Sequence, residues 1–137
     1  MRLRNIPGAD DHLLQSPFVI DEPERLKGLW RDELFGNGQP VYVEIGCGKG
    51  SFLNSLALKH PENNYLGIEK MSSVLLRAVQ KAEEREEVPS NLYFMRFDAE
   101  RITDLFREGE VSGIYLNFSD PGPRTVIIKD GLPAGST

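Results

Sequence analysis

Four acidic residues, Glu44, Glu69, Asp98 and Asp120, each stand at or just beyond the end of a short apolar run, and the first opens directly onto Gly46, Gly48 and Gly50. The runs are Val41 to Ile45, Asn64 to Glu69, Asn91 to Asp98 and Gly113 to Pro121. They are rich in β-branched and aromatic residues and too short for helices, so each reads as a strand. One acid after a strand is most often a helix N-cap or a turn residue. Four at successive strand ends carry more weight, because in a parallel sheet these ends share one edge, where open α/β sheets bind their ligands. Glu44 is the sharpest of the four, since a carboxylate inside a buried strand is costly unless it meets a cation.

The glycine spacing separates two classes of ligand. A dinucleotide fingerprint is G-x-G-x-x-G, with a pyrophosphate on the following helix N-terminus. Here the third glycine, Gly50, comes one residue early, Ser51 takes the place of the last fingerprint glycine, and Glu44 would repel a pyrophosphate. The acid suits the α-ammonium or sulfonium region of S-adenosylmethionine. Glu69 follows the loop by about 20 residues, where ribose-binding carboxylates stand in βαβ nucleotide sites. A dinucleotide-dependent oxidoreductase is therefore the weaker alternative, and a non-catalytic cofactor-binding remnant is another.

The elements that must position these residues follow from periodicity. Ser51 to Lys59 is predicted as a helix burying Phe52, Leu53, Leu56 and Ala57 and stopped by His60-Pro61. Ser72 to Glu87 is predicted as another, burying Val74, Leu75, Ala78, Val79 and Ala82, with its charged carboxyl end solvated. Upstream, Glu24 to Phe35 reads as a short helix with Leu26, Leu29, Trp30 and Leu34 apolar, Trp30 being a packing residue. The fold class is α/β, a Rossmann-like doubly wound parallel sheet in strand order 3-2-1-4, truncated after the fourth strand.

Composition bounds the function. The chain has 137 residues and 39% hydrophobic content, enough for one globular core. A net charge of -5 argues against strong nucleic-acid binding, which needs clustered Lys and Arg. The single Cys47 allows no intrachain disulfide, and His12 and His60 suggest no metal pair. No run approaches membrane-spanning length and no signal peptide is evident, so a cytoplasmic location is expected.

Glu44-Ile45-Gly46-Cys47-Gly48-Lys49-Gly50, Gly67-Ile68-Glu69 and above all Tyr115-Leu116-Asn117-Phe118-Ser119-Asp120-Pro121 resemble the bacterial tRNA (guanine-N7-)-methyltransferases. Met1-Arg2-Leu3-Arg4 and Ala9-Asp10-Asp11 extend the likeness, so it covers residues 1 to 121 nearly continuously. The resemblance implies that Glu44, Glu69, Asp98 and Asp120 contact S-adenosylmethionine, that Asp120 is the catalytic-site acid, and that the substrate is guanosine 46 in the tRNA variable loop. Guanine N7 is already a lone-pair acceptor on the base edge, so its attack on a methyl group needs no general base. Asp120 would hold the guanine edge or balance charge, with Pro121 stiffening its backbone.

The resemblance stops after Pro121, where the family continues with Trp-Pro and a basic stretch. Residues 124 to 137 admit a codon choice that, with one base restored before Arg124, re-reads as Lys-Asp-Arg-His-His-Lys-Arg-Arg-Leu-Thr-Ser-Arg-Gln-Tyr, a continuation of the family kind. An out-of-frame tail is the expectation. The domain plan is then residues 1–39 as an N-terminal segment, 40–121 as the cofactor-binding half and 122–137 as the tail. This chain is expected to bind tRNA weakly and to be inactive. The outer edge of the fourth strand is expected to be either bare or paired fortuitously by Thr125 to Lys129, whose β-branched run favours a strand.

Overall fold

The computed structural model describes residues 8–85, 90–117 and 125–129. The elements are α1 (Ala9–Gln15), a 3-10 turn (Pro23–Leu26), a π-helical turn (Trp30–Phe35), β1 (Val41–Ile45), α2 (Ser51–Lys59), β2 (Asn64–Glu69), α3 (Ser72–Glu83), β3 (Leu92–Arg96), a second 3-10 turn (Ala99–Asp104), β4 (Gly113–Asn117) and β5 (Thr125–Lys129). They form one sheet in the order β3-β2-β1-β4-β5. The first four strands are parallel, as expected, and β5 runs antiparallel to β4, with Asn117 opposite Thr125 and Gly113 opposite Lys129. Of the two alternatives for the outer edge of β4, pairing is therefore the one found. The opposite outer edge is also met: Phe94 N–H donates to Phe18 O at 2.7 Å, and Ile20 N–H donates to Phe94 O at 2.9 Å.

Side chains alternate faces along each strand, so the sheet separates two apolar layers. On one side Tyr65, Leu92 and Phe94 pack under α2 and α3 with Leu53, Ala57, Leu75, Leu76, Ala78, Val79 and Ala82. On the other, Val41, Val43, Leu66, Ile68 and Met95 pack against Trp30, Leu105 and Phe106. Trp30 is wholly buried there, its ring 5.3 Å from that of Phe106 and its indole N–H donating to Leu105 O at 2.8 Å. Its role is packing.

Three local expectations change. The helix expected over Glu24 to Phe35 is broken at Lys27–Leu29, because Gly28 turns to φ +80° and the Glu110 carboxylate takes the N–H groups of both Gly28 (2.9 Å) and Trp30 (3.2 Å). A distant acid has outcompeted the i to i−4 ladder. In α2, Phe52 is exposed while Asn54 is buried, because its amide ties the helix to α3 by donating to Gly50 O (2.9 Å) and Ala78 O (3.3 Å). Finally, α3 ends at Glu83, and it buries Leu76 while Val74 is half-buried.

Candidate functional site

Parallel pairing puts the carboxyl ends of β1, β2, β3 and β4 on one edge, with Ile45 beside Ile68 and Leu116, and Glu69 beside Arg96. The glycine loop starts there. Gly46, Gly48 and Gly50 all take positive φ (72°, 58° and 75°), which side chains other than glycine rarely adopt. Gly46 N–H and Cys47 N–H both donate to Ile68 O (2.9 and 3.1 Å), which folds the loop back over β2. Gly50 is doubly constrained: a Cβ there would lie 2.5 Å from the Cβ of Ala78, so the loop-to-helix turn and the approach of α3 both require glycine. At Gly48 a Cβ would meet only Gly46 O, at 4.0 Å, so that backbone is open to a neighbouring molecule.

The three acids that fall on described residues have different surroundings. Glu44 is fully buried, and neither carboxylate oxygen has a hydrogen-bond partner among the described residues. Burial, and then the charge of Glu69, push its carboxyl up to about 8. Glu69 is anchored by backbone: Oε1 accepts from Gly48 N–H and Oε2 from Met71 N–H, both at 3.1 Å. This carboxylate clamps the glycine loop to the start of α3 while keeping further lone pairs for a ligand. Asp98 caps the second 3-10 turn through Glu100 N–H (3.0 Å), with Lys70 Nζ 3.8 Å from its other oxygen. It thus does the ordinary work of an acid after a strand while still lying on the carboxyl edge. Asp120, the fourth acid, lies outside the described residues.

Cys47 is buried between the glycines, and burial, then Glu44 and Glu69, raise its thiol well above the ordinary range. Such a thiol is a poor nucleophile. Sequence reasoning missed the cleft of about 370 Å³ beside Asp98, lined by Pro23, Glu24, Lys70, Arg96, Phe97 and Arg101 among others. Its basic residues are scattered singly along the chain, and only the fold gathers them. Each is balanced: Arg101 reaches Asp104 (3.1 Å) and Glu24 (3.4 Å), and Arg96 reaches Asp10 (3.5 Å). No group of His, Cys, Asp and Glu able to hold a metal occurs among the described residues.

Chemically, this edge can hold a small ligand along the glycine loop, where the backbone at Gly48 is open and Glu69 keeps lone pairs free to accept hydrogen bonds. The fold itself is that of Rossmann-like methyltransferases: a solved antibiotic-related methyltransferase superposes with a TM-score of 0.58 at 22% identity, over 74% of this chain and 49% of that one. The antibiotic-resistance methyltransferase Kmr does so with a TM-score of 0.54 at 20% identity, over 66% and 47%. Residues 38–126 match the family model described as "Putative methyltransferase", and the chain belongs to this family. The dinucleotide alternative falls with that match. Among similar curated proteins, the tRNA (guanine-N(7)-)-methyltransferase of Lachnoclostridium phytofermentans is 58% identical over 124 residues, covering 90% of this chain and 56% of that protein. The protein of the same name from Brevibacillus brevis is 52% identical over 125 residues, covering 91% and 57%. The chain thus spans little more than half the length of the curated relatives it matches.

Proposed function

We propose that the intact protein transfers a methyl group from S-adenosylmethionine to N7 of a guanine in tRNA, guanosine 46 of the variable loop. The observation that carries this reading is the 58% identity to a relative bearing that activity in its name. The buried carboxylate of Glu44, without a hydrogen-bond partner among the described residues and next to an open glycine loop, fits the cofactor, because such a group calls for a cation. Glu69 and Asp98 complete the set on the same edge, Glu69 for the ribose hydroxyls. When bound, the cofactor supplies an electrophilic methyl group on a positively charged sulfur.

The chain's own residues then have two tasks. Glu44, Glu69 and the glycine loop fix the methyl donor, and Asp120 holds the guanine edge, so that orientation and preorganised charge lower the barrier without proton removal from N7. Working on tRNA, the protein acts in the cytoplasm.

A second reading applies to the 137-residue chain itself, and its net charge of -5 favours it: a cofactor-binding unit with weak tRNA affinity and no transfer activity. In that reading residues 124–137 are an out-of-frame tail. One experiment tests both. The chain and a version with one base restored before the Arg124 codon are incubated with tRNA transcript and methyl-labelled S-adenosylmethionine, and N7-methylguanine is located by borohydride and aniline cleavage. The restored protein should methylate guanosine 46, and Asp120→Ala in it should abolish most of that signal. Failure of the restored protein would sink the tRNA assignment, and site-specific methylation by the 137-residue chain would sink the second reading.

A further inference from the structure

We infer that the cationic cofactor docks only against an ionised Glu44, so that its arrival expels one proton from this buried carboxyl to solvent. This inference rests on the cofactor reading above. Glu44 is fully buried, and neither of its oxygens receives a hydrogen bond among the described residues, so no described group compensates a negative charge there. Its neighbour Glu69 is held by two backbone N–H donors, which favour that group's charged form and leave Glu44 beside a fixed negative charge.

The titratable groups around Glu44 bring no relief. Cys47 follows in the loop, Glu69 ends β2, and Tyr42, Tyr65 and Tyr115 lie in a row on the same sheet face, their rings about 6 Å apart (5.9 Å for Tyr42 to Tyr65 and 6.1 Å for Tyr42 to Tyr115). The described basic residues of the loop and of α3 are exposed or engaged by other groups. Lys49 and Arg77 are exposed, Lys70 lies by Asp98, and Lys81 of α3 is engaged by Ser51 Oγ. Burial is accordingly the larger cause of the elevation of Glu44 and the charge of Glu69 the smaller. In the free protein the carboxyl holds its proton at neutral pH. A ligand cation against it supplies the missing counter-charge, the O–H bond breaks, the proton passes to buffer, and the carboxylate is left paired with the ligand. Cofactor affinity is thereby coupled to pH.

The test is calorimetry of S-adenosylmethionine binding to the 137-residue chain at pH 7, in phosphate and in Tris, whose ionisation enthalpies differ. Release of close to one proton per ligand is expected from wild type, and none from Glu44→Gln. As pH rises toward 7, wild-type affinity should tighten roughly tenfold per unit, and it should level off above about pH 9. Binding with the same heat in both buffers would overturn the inference, as would equal release from Glu44→Gln. If that variant does not fold, the wild-type affinity slope decides alone, and a flat slope overturns it. A folded chain that binds neither S-adenosylmethionine nor S-adenosylhomocysteine would instead remove the cofactor reading on which the inference stands.

Discussion

Glu44→Gln should stabilise the ligand-free protein, and by an amount that grows with pH. The folded carboxyl is raised to about 8 from an ordinary 4.5, so between those values the folded state holds a proton that the unfolded state has lost. For such a group stability falls as pH rises, because keeping Glu44 buried requires taking a proton from solvent; the full contribution is present below about pH 4.5, and the loss is complete above about pH 8. At about 1.4 kcal/mol per pH unit, the burden on wild type is under about 1 kcal/mol at pH 5 and about 3 kcal/mol at pH 7. Glutamine keeps the shape and carries no charge. Urea denaturation of both proteins at pH 5, 7 and 9 should show a stability difference that widens across this range, and thermal melts at pH 7 should differ by roughly 10 °C. Comparing the variant with wild type cancels the other carboxylates. A difference independent of pH would refute the reading of Glu44 as a buried carboxyl without a compensating partner among the described residues.

Three further changes probe the same architecture. Gly50→Ala combines a positive φ with overlap against Ala78 and should cost about 2–4 kcal/mol, measured by chemical denaturation; a loss under 1 kcal/mol would mean that α3 does not sit against the loop. Asn91→Ala removes an amide that donates to Ala57 O, His60 O and Asn63 O and should cost about 1–3 kcal/mol, with faster amide exchange at the end of α2 as its local signature. Glu69→Ala should weaken S-adenosylhomocysteine binding by about 1–3 kcal/mol in calorimetry, and unchanged affinity would remove Glu69 from the site.

Much of the site is legible in the chain because its signals are local. The run Val41 to Ile45 followed by Gly46, Gly48 and Gly50 specifies a strand, a tight turn and a helix start within about ten residues, and period-two alternation assigns each strand residue to a face. The strand order follows from right-handed crossovers between parallel strands. The same locality explains the failures: a break at Gly28 caused by Glu110, some 80 residues away, and a buried Asn54 that binds a carbonyl on another helix, leave no periodic trace.

The sequence by itself determined the parallel sheet, the position of the glycine loop and the acids that the carboxyl edge would collect, since propensity, spacing and chirality act over short stretches of chain. Only the tertiary structure decided what each acid is. Glu44 lost its charge because the surrounding sheet and helices exclude water and offer no donor, Glu69 kept donors because the loop and α3 turn their N–H groups toward it, and Asp98 became a cap because a turn begins there. Whether a carboxylate is ionised depends on desolvation and on neighbours brought from afar, and neither quantity exists until the chain has folded.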